Sequence, residues 1–250
     1  MVIKTLVTAD DFGFTQNINR AIFEAYEKSR VTELSLMVDS YGTDEAVRYI
    51  HNNKVQNVGL HFSLLRVSNG VKILRSKDYD NILESWTKEQ LAKAFDEEVN
   101  IFEQKVGFKP KHIIGHKQIA LHPKLVEYIG KYCAKNNCYA RSTVSHKTLQ
   151  TAVIPEGFNI GRITDEKFTF RYGTPEEMHR QYKKDIQDAK SKHEFKSAEF
   201  VFHPGYAGEF EKELTSFIQE RIDDINFLMS DYFLKLVKEE NLQLVPSVGI

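Results

Sequence analysis

The sequence predicts an α/β fold in which repeated strand and helix units surround a mostly parallel sheet. Short apolar runs alternate with helix-period segments almost to the C-terminus, an order typical of βα units. A chain of 250 residues can bury one large core, and α/β barrels commonly form a single domain of this length. Several predicted strands end in an acid or a histidine. We therefore expect residues 1–250 to form one domain with its site at the strand ends.

The predicted strands are short apolar runs bounded by turn residues. They cover Val2–Thr8, Glu33–Val38, Asn57–Ser63, Lys111–His116, Cys138–Ser142, Ala198–His203 and Leu242–Pro246. Residues 64–86 and 143–158 do not continue the alternation of strand and helix patterns. We expect long loops there, of the kind that form lids, contact a ligand or decorate the surface.

Three helix starts lie between these strands. Thr15 or Asn17 can cap a helix that carries an apolar stripe. The sequence Thr87-Lys88-Glu89-Gln90 predicts a capping box. Thr174 precedes a proline and two glutamates, which suit the first turn of a third helix.

Composition excludes several classes of partner. The 34 basic and 35 acidic residues give a net charge of -1, which provides no overall field to attract nucleic acid or an anionic membrane. No basic region followed by an apolar run opens the sequence, and no apolar run is long enough to span a bilayer. Cys133 and Cys138 lack the spacing of a zinc or redox motif. We expect a soluble cytoplasmic protein with reduced cysteines and a small substrate.

Four segments at predicted strand ends carry the candidate site residues. They are Ala9-Asp10-Asp11-Phe12-Gly13, Gly59-Leu60-His61-Phe62-Ser63, His112-Ile113-Ile114-Gly115-His116 and Phe202-His203-Pro204-Gly205-Tyr206. Neighbouring side chains on an extended strand point to opposite sides, so Asp10 and Asp11 are expected to have different roles, one with a cation and one with a proton. Taken singly, each histidine could be an ordinary hydrogen-bonded structural residue. The two acids could likewise be a helix cap and a salt-bridge partner.

The joint occurrence of these residues favours a metal site. One carboxylate and two imidazoles form a mixed oxygen and nitrogen site that suits zinc, manganese or a related divalent ion. His112 and His116 lie too far apart along a strand to share one ion. We favour His116 as the ligand because it is nearer the strand end, and His112 as a buried supporting residue.

These motifs resemble the YdjC-like carbohydrate deacetylases, a family related to the polysaccharide deacetylases, over nearly the whole chain. The residues that carry the resemblance are the acidic pair with Asn19-Arg20-Ala21-Ile22, Gly59-Leu60-His61, the segment from His112 to His116 with Pro123, His203-Pro204-Gly205-Tyr206, and the helix from Arg221 to Leu228. The resemblance implies a distorted (β/α) barrel like that of the polysaccharide deacetylases. It also implies hydrolysis of an N-acetyl group from an acetylated sugar or a chitobiose-like oligosaccharide.

The resemblance further implies roles for individual residues. Asp11, His61 and His116 would bind a divalent metal, magnesium or zinc, and Asp10 would be the catalytic base. From the chemistry of the step, and not from the resemblance, His203 is expected to protonate the departing amine, since a histidine titrates near neutral pH. Residues expected to orient the base or bind substrate are Arg141, Phe12, Gly205 and Tyr206. The expected partner is a small carbohydrate, and a homodimer is left open.

One segment departs from the family pattern. Ile114 stands where the family has an aspartate, Gln118 and Ala120 stand in place of two histidines, and Ser63 stands where asparagine is usual. The expected metal ligand is present, but residues that would support it are replaced. A sugar-binding paralogue that has lost catalysis is therefore one alternative function. A metal-dependent phosphoesterase or another amidohydrolase is the second alternative. Tyr79 can either stack on a sugar ring or anchor its loop.

Overall fold

The computed structural model describes residues 1–64, 67, 76–141 and 164–247. Strands and helices alternate along this part of the chain, so the α/β class is confirmed. The strands are β1 Ile3–Phe12, β2 Glu33–Leu36, β3 Val58–Phe62, β4 His112–Gly115, β5 Tyr139–Ala140, β6 Glu166–Thr169, β7 Ser197–Phe202 and β8 Leu242–Leu244. The helices are α1 Gln16–Glu27, α2 Thr43–Asn52, α3 Ser76–Ser85, α4 Lys88–Val106, a 3₁₀ helix His116–Leu121, α5 Val126–Asn136, α6 Pro175–Lys192, α7 Glu209–Leu214, α8 Gln219–Met229 and α9 Asp231–Glu239.

The described residues form two compact units. The terminal unit contains residues 1–10, 15–34 and 164–247, and the central unit contains residues 11–14 and 35–141. Strands β1 and β2 contribute residues to both units. The strand pairs within each unit are parallel, as the sequence predicts. A single domain over residues 1–250 stays a prediction.

In the terminal unit, β7 pairs with both β1 and β6, and β8 also pairs with β1. The register aligns Ala9 with Phe202, so Asp10 and His203 follow at matching ends of neighbouring parallel strands. Helix α1 begins at the predicted cap, because the Thr15 hydroxyl accepts the backbone N–H of Ile18. The ends of these strands therefore carry two of the predicted site residues together.

In the central unit, β4 pairs with β3 on one side and with β5 on the other. The register aligns His61 with Ile114, so His116 follows two residues beyond the level of His61. Helix α4 begins with the predicted capping box, in which the Thr87 hydroxyl accepts the Gln90 N–H at 3.2 Å and the Gln90 side chain accepts the Thr87 N–H at 2.8 Å. The predicted capping box at the start of α6 is also present.

Two elements differ from the predictions. Residues 76–85 form α3 inside the segment that was expected to be a loop. Strand β6 was missed, because its sequence Glu-Lys-Phe-Thr contains a single large apolar residue, Phe168. The second expected loop, residues 143–158, lies outside the described residues. Among the described helices, none is long and apolar enough to cross a membrane.

Candidate metal centre and active site

The central unit brings Asp11, His61 and His116 together. The Oδ1 atom of Asp11 lies 2.9 Å from Nε2 of His61 and 3.0 Å from Nδ1 of His116. The two imidazole nitrogens are 3.3 Å from each other, and the rings meet edge to face. The three ligand atoms therefore form a small triangle. Asp11 and His61 are buried, and His116 is the partly exposed member of the three.

This triangle fits a divalent metal ion. Ligand atoms about 2.0–2.1 Å from one ion stand roughly 2.8–3.4 Å apart, depending on whether the angle between them is right or tetrahedral. The three observed separations, from 2.9 to 3.3 Å, fall in that range. Burial lowers the pKa of His116, against the opposing effect of Asp11. The imidazole is thereby favoured in the neutral form that binds metals.

The backbone around Asp11 explains how the carboxylate enters the triangle. Asp11 has a positive φ of 62° and Gly13 one of 87°, so the backbone departs from the extended conformation at the end of β1, where it was expected to be extended. The N–H of Phe14 donates to the carbonyl of Asp11 at 3.0 Å and closes a turn. A Cβ on Gly13 would lie 2.8 Å from the carbonyl oxygen of Met37. Glycine is therefore required by both the left-handed conformation and the neighbouring backbone.

A tight turn places His116 at the end of β4. Lys117 and Gln118 both adopt positive φ, 48° and 62°, and the chain folds back so closely that a Cβ on Gly115 would overlap with the backbone nitrogen of Ala120. His116 thus begins a 3₁₀ helix instead of continuing the strand. The sequence places a histidine at a strand end but does not show this reversal.

Gly59 and His112 support the strand that carries His61. A Cβ on Gly59 would overlap with the ring of His112, which covers the glycine from the neighbouring strand. The imidazole Nε2 of His112 lies 3.1 Å from the Ser35 hydroxyl oxygen. His112 is therefore a buried residue beneath the triangle, and it lies outside the group that could hold a metal.

Glu98 and Tyr79 fix the chain that follows His61, and the role of Glu98 was not predicted from the sequence. The buried carboxylate of Glu98 accepts the backbone N–H groups of Ser63 at 3.1 Å and Leu64 at 2.7 Å. The hydroxyl of Tyr79 donates to the carbonyl of Ser63 at 2.5 Å. Tyr79 is 4% exposed, and its ring packs 5.8 Å from that of His116. Of the two roles considered for Tyr79, the structure shows the anchoring one.

A signal for Glu98 was present in the sequence. Leu91, Phe95, Glu98 and Phe102 recur at intervals of four, three and four residues, which places them on one face of a helix. A carboxylate on an otherwise apolar stripe indicates a buried, hydrogen-bonded acid. Tyr79 forms a shorter stripe of this kind with Ile82 and Leu83, but the spacing does not show what its hydroxyl contacts.

The terminal unit brings Asp10 and His203 together. Nε2 of His203 lies 3.8 Å from Oδ2 of Asp10. The backbone N–H of His203 donates to Oδ2 of Asp224 at 2.6 Å, and Arg221 directs a guanidinium nitrogen to the His203 carbonyl at 3.5 Å. Burial raises the pKa of Asp224 well above its usual range. The buried pair of Asp224 and Arg221 therefore holds the backbone of His203 in place.

The remaining predicted residues have structural contacts. Phe12 is buried, and Arg141 is buried with its backbone N–H donating to Ile113 at 3.1 Å. The N–H of Gly205 donates to the carbonyl of Arg221 at 3.1 Å. Tyr206 donates its hydroxyl to Glu24 at 2.6 Å. Burial and this hydrogen bond raise the pKa of Tyr206 to about 12, so the phenol keeps its proton at neutral pH.

The departures from the family pattern lie around His61 and His116. Ile114 is the register partner of His61 and is buried. The Nδ1 atom of His61 is buried and has no hydrogen-bond partner within the described part of the chain. Gln118 is exposed and Ala120 is buried. Three residues that could hold a metal ion are therefore present, while within the described ranges one ring nitrogen of His61 lacks the hydrogen bond that metal-binding histidines usually make.

The chain belongs to the family described as YdjC-like protein, whose model matches residues 4–239. A carbohydrate deacetylase of Brevibacillus brevis is 23% identical over 251 residues, which cover 97% of this chain and 98% of that protein.

Solved structures show the same fold. A candidate cellobiose-phosphate cleavage protein from Enterococcus faecalis matches 100% of this chain and 99% of its own, with a TM-score of 0.78 and 19% identity. A peptidoglycan N-acetylglucosamine deacetylase matches 98% of this chain and 86% of its own, with a TM-score of 0.53 and 12% identity. The expected likeness to the polysaccharide deacetylase barrels is thereby confirmed.

Proposed function

We propose that this protein hydrolyses the N-acetyl group of an acetylated sugar with the help of a divalent metal. The observation that carries the proposal is the triangle of Asp11, His61 and His116, whose ligand atoms lie 2.9–3.3 Å apart. Family membership and the names of the relatives supply the reaction class. A divalent ion held by these residues would polarise the acetyl carbonyl and lower the pKa of a nearby water.

Asp10 is proposed as the general base. It directly precedes Asp11 in the chain, so the two α-carbons are about 3.8 Å apart across a trans peptide bond. As the water oxygen bonds to the acetyl carbon, the Asp10 carboxylate accepts the proton that the water loses.

His203 is proposed as the general acid. The C–N bond breaks only when the nitrogen receives a proton, because an amide anion is a very poor leaving group. The His203 imidazole lies 3.8 Å from Asp10, and an imidazole ordinarily exchanges its proton near neutral pH. The products are acetate and the free amino sugar, and the proton that Asp10 gained balances the one that His203 gave.

Other features of the proposal come from the sequence and the family. Magnesium and zinc are both proposed as the metal, and an N-acetylglucosamine-containing oligosaccharide is proposed as the substrate. The names of the relatives mention carbohydrate and N-acetylglucosamine deacetylation. A cytoplasmic location and a homodimer are proposed from the sequence alone. Arg141, Phe12, Gly205 and Tyr206 are proposed to orient the base or bind substrate.

Acetate release from N-acetylated chitooligosaccharides tests the proposal directly. We expect activity to disappear after rigorous chelation and to return with zinc or magnesium. Phosphate esters and cyclic amides form the comparison panel. Turnover of phosphate esters in preference to N-acetyl sugars would instead support a phosphoesterase, and full activity without metal would exclude the metal mechanism.

Two variants separate the roles of the acidic pair. Asp10→Asn is expected to abolish acetate release while zinc binding remains, since this residue accepts a proton and binds no metal. Asp11→Asn is expected to weaken zinc binding, measured by competition with a chromophoric chelator. Sugar binding without any acetate release from the wild-type protein would favour the lapsed paralogue.

A further inference from the structure

Phe170 is an exposed aromatic residue in an unfavourable backbone conformation. It directly follows β6, and 50% of its surface is exposed. Its φ is 57°, in the left-handed region that a bulky residue other than glycine rarely adopts. Such strain persists where the surrounding structure imposes it, and it is concentrated at ligand-binding sites. Neither burial nor backbone preference therefore accounts for a phenylalanine at this position.

The ring of Phe170 stacks on the proposed acid. Its centroid lies 5.8 Å from that of the His203 imidazole, and the two planes are inclined by 17°. Phe217 meets the same imidazole edge to face, with centroids 5.5 Å apart. His203 thus contacts two aromatic rings, one stacked on its plane and one edge to face. One face of Phe170 covers the imidazole, and the exposed half of the side chain offers apolar surface beside it.

We propose that the exposed face of Phe170 is a binding surface for a pyranose ring of the substrate. The inference rests on the proposed deacetylation, in which His203 protonates the sugar nitrogen. A pyranose presents a face of C–H groups whose partial positive charge suits the electron-rich face of an aromatic ring. A sugar ring on this face would lie on the side of Phe170 away from the imidazole, so the neighbouring unit of an oligosaccharide is the one that could present its nitrogen to His203. Tyr79, which the sequence offered as a stacking residue, is buried, and its hydroxyl donates a hydrogen bond to the Ser63 carbonyl.

Binding measured without turnover tests the surface independently of activity. N,N′-diacetylchitobiose is titrated calorimetrically into the Asp10→Asn protein, with Phe170 intact or replaced. Phe170→Leu, which keeps apolar bulk but removes the aromatic face, should weaken binding roughly three- to tenfold. Phe170→Trp should stay within about twofold of the intact protein. Leu234→Ala, at an apolar side chain of the same unit that is 41% exposed, is the matched control and should leave affinity unchanged.

A glycine variant separates binding from folding. Phe170→Gly relieves the left-handed backbone strain, so its melting temperature should equal or exceed that of the parent while its affinity for the sugar falls. In the active protein, Phe170→Leu should raise KM and leave kcat nearly unchanged, because stacking holds substrate and transition state alike.

The outcomes distinguish this inference from the proposed function. Equal affinity in the Leu and Trp variants overturns the stacking surface, even where the wild-type protein releases acetate. A selective loss in the Leu variant supports the surface, even if the wild-type protein releases no acetate and the proposed function fails. Absence of any sugar binding with Phe170 intact also overturns it.

Discussion

Replacing Glu98 with glutamine should destabilise the protein and weaken the metal centre together. The buried Glu98 carboxylate uses one oxygen for the N–H of Ser63 and the other for that of Leu64. Glutamine keeps one of these acceptors and turns its NH₂ group toward the second N–H. The variant therefore loses one charge-assisted bond and leaves a buried donor unpaired. We expect the free energy of unfolding to fall by roughly 2–4 kcal/mol.

The same substitution should also lower the affinity of the proposed site for zinc, because it alters the backbone that follows His61. Leu64 has a positive φ of 57°, a conformation that needs external support in a leucine, and it lies three residues after His61. Loss of that support loosens the strand end that directs the imidazole toward Asp11. Weakened support of a ligand typically lowers metal affinity about 10- to 100-fold, and we expect a fall of this size for zinc.

Urea unfolding and zinc competition measure the two effects separately. The single tryptophan, Trp86, provides a fluorescence signal for the unfolding curve. Glu97→Gln is the matched control, because Glu97 is an exposed neighbour on the same helix, and it should change stability by less than about 0.5 kcal/mol. If Glu98→Gln unfolds like this control and binds zinc as tightly as the wild-type protein, the supporting role of Glu98 is wrong.

Two further substitutions probe the strands beneath the triangle. Gly59→Ala forces the ring of His112 to move and should lower the free energy of urea unfolding by roughly 2–4 kcal/mol. The control is Gly107→Ala, where a Cβ meets nothing within 4 Å, and it should lower that free energy by only about 1 kcal/mol because of its left-handed backbone. Equal losses of stability would contradict the packing explanation. Ile114→Asp places a carboxylate in register with His61 and should tighten zinc binding by supplying a partner for its buried Nδ1; weaker zinc binding in a folded variant would count against this reading.

The sequence predicted the positions of the strand ends better than the conformations there. Apolar runs determine β1, β3, β4 and β7, and parallel strands carry their ends to the same edge, so the meeting of His61 and His116 follows from pattern alone. The left-handed conformation of Asp11 does not, because it depends on the turn and on the approach of Met37 to Gly13. Local propensity contains no information about a neighbouring strand.

Helix α3 shows a second limit of sequence reasoning. Its sequence is mostly polar, but Tyr79, Ile82 and Leu83 lie at helical spacing, so periodicity gives a short helix signal that the expectation of a loop passed over. Tertiary contacts tie α3 to the unit, among them the hydrogen bond from the Tyr79 hydroxyl to the Ser63 carbonyl and that from the Lys124 ammonium to the Leu83 carbonyl. The role of Tyr79 was therefore left open by the sequence, since burial distinguishes an anchor from a stacking surface.

The altered histidine segment changes which residues would support the proposed metal centre. The family's aspartate would stand at Ile114, beside His61, and here the Nδ1 atom of that histidine has no partner within the described residues. Both histidines contact the Asp11 carboxylate, and His116 also packs against the ring of Tyr79. The ligand set can therefore be retained while one imidazole is less firmly oriented. Because outer hydrogen bonds adjust affinity more than they decide ligand identity, the departures should weaken metal binding without preventing it.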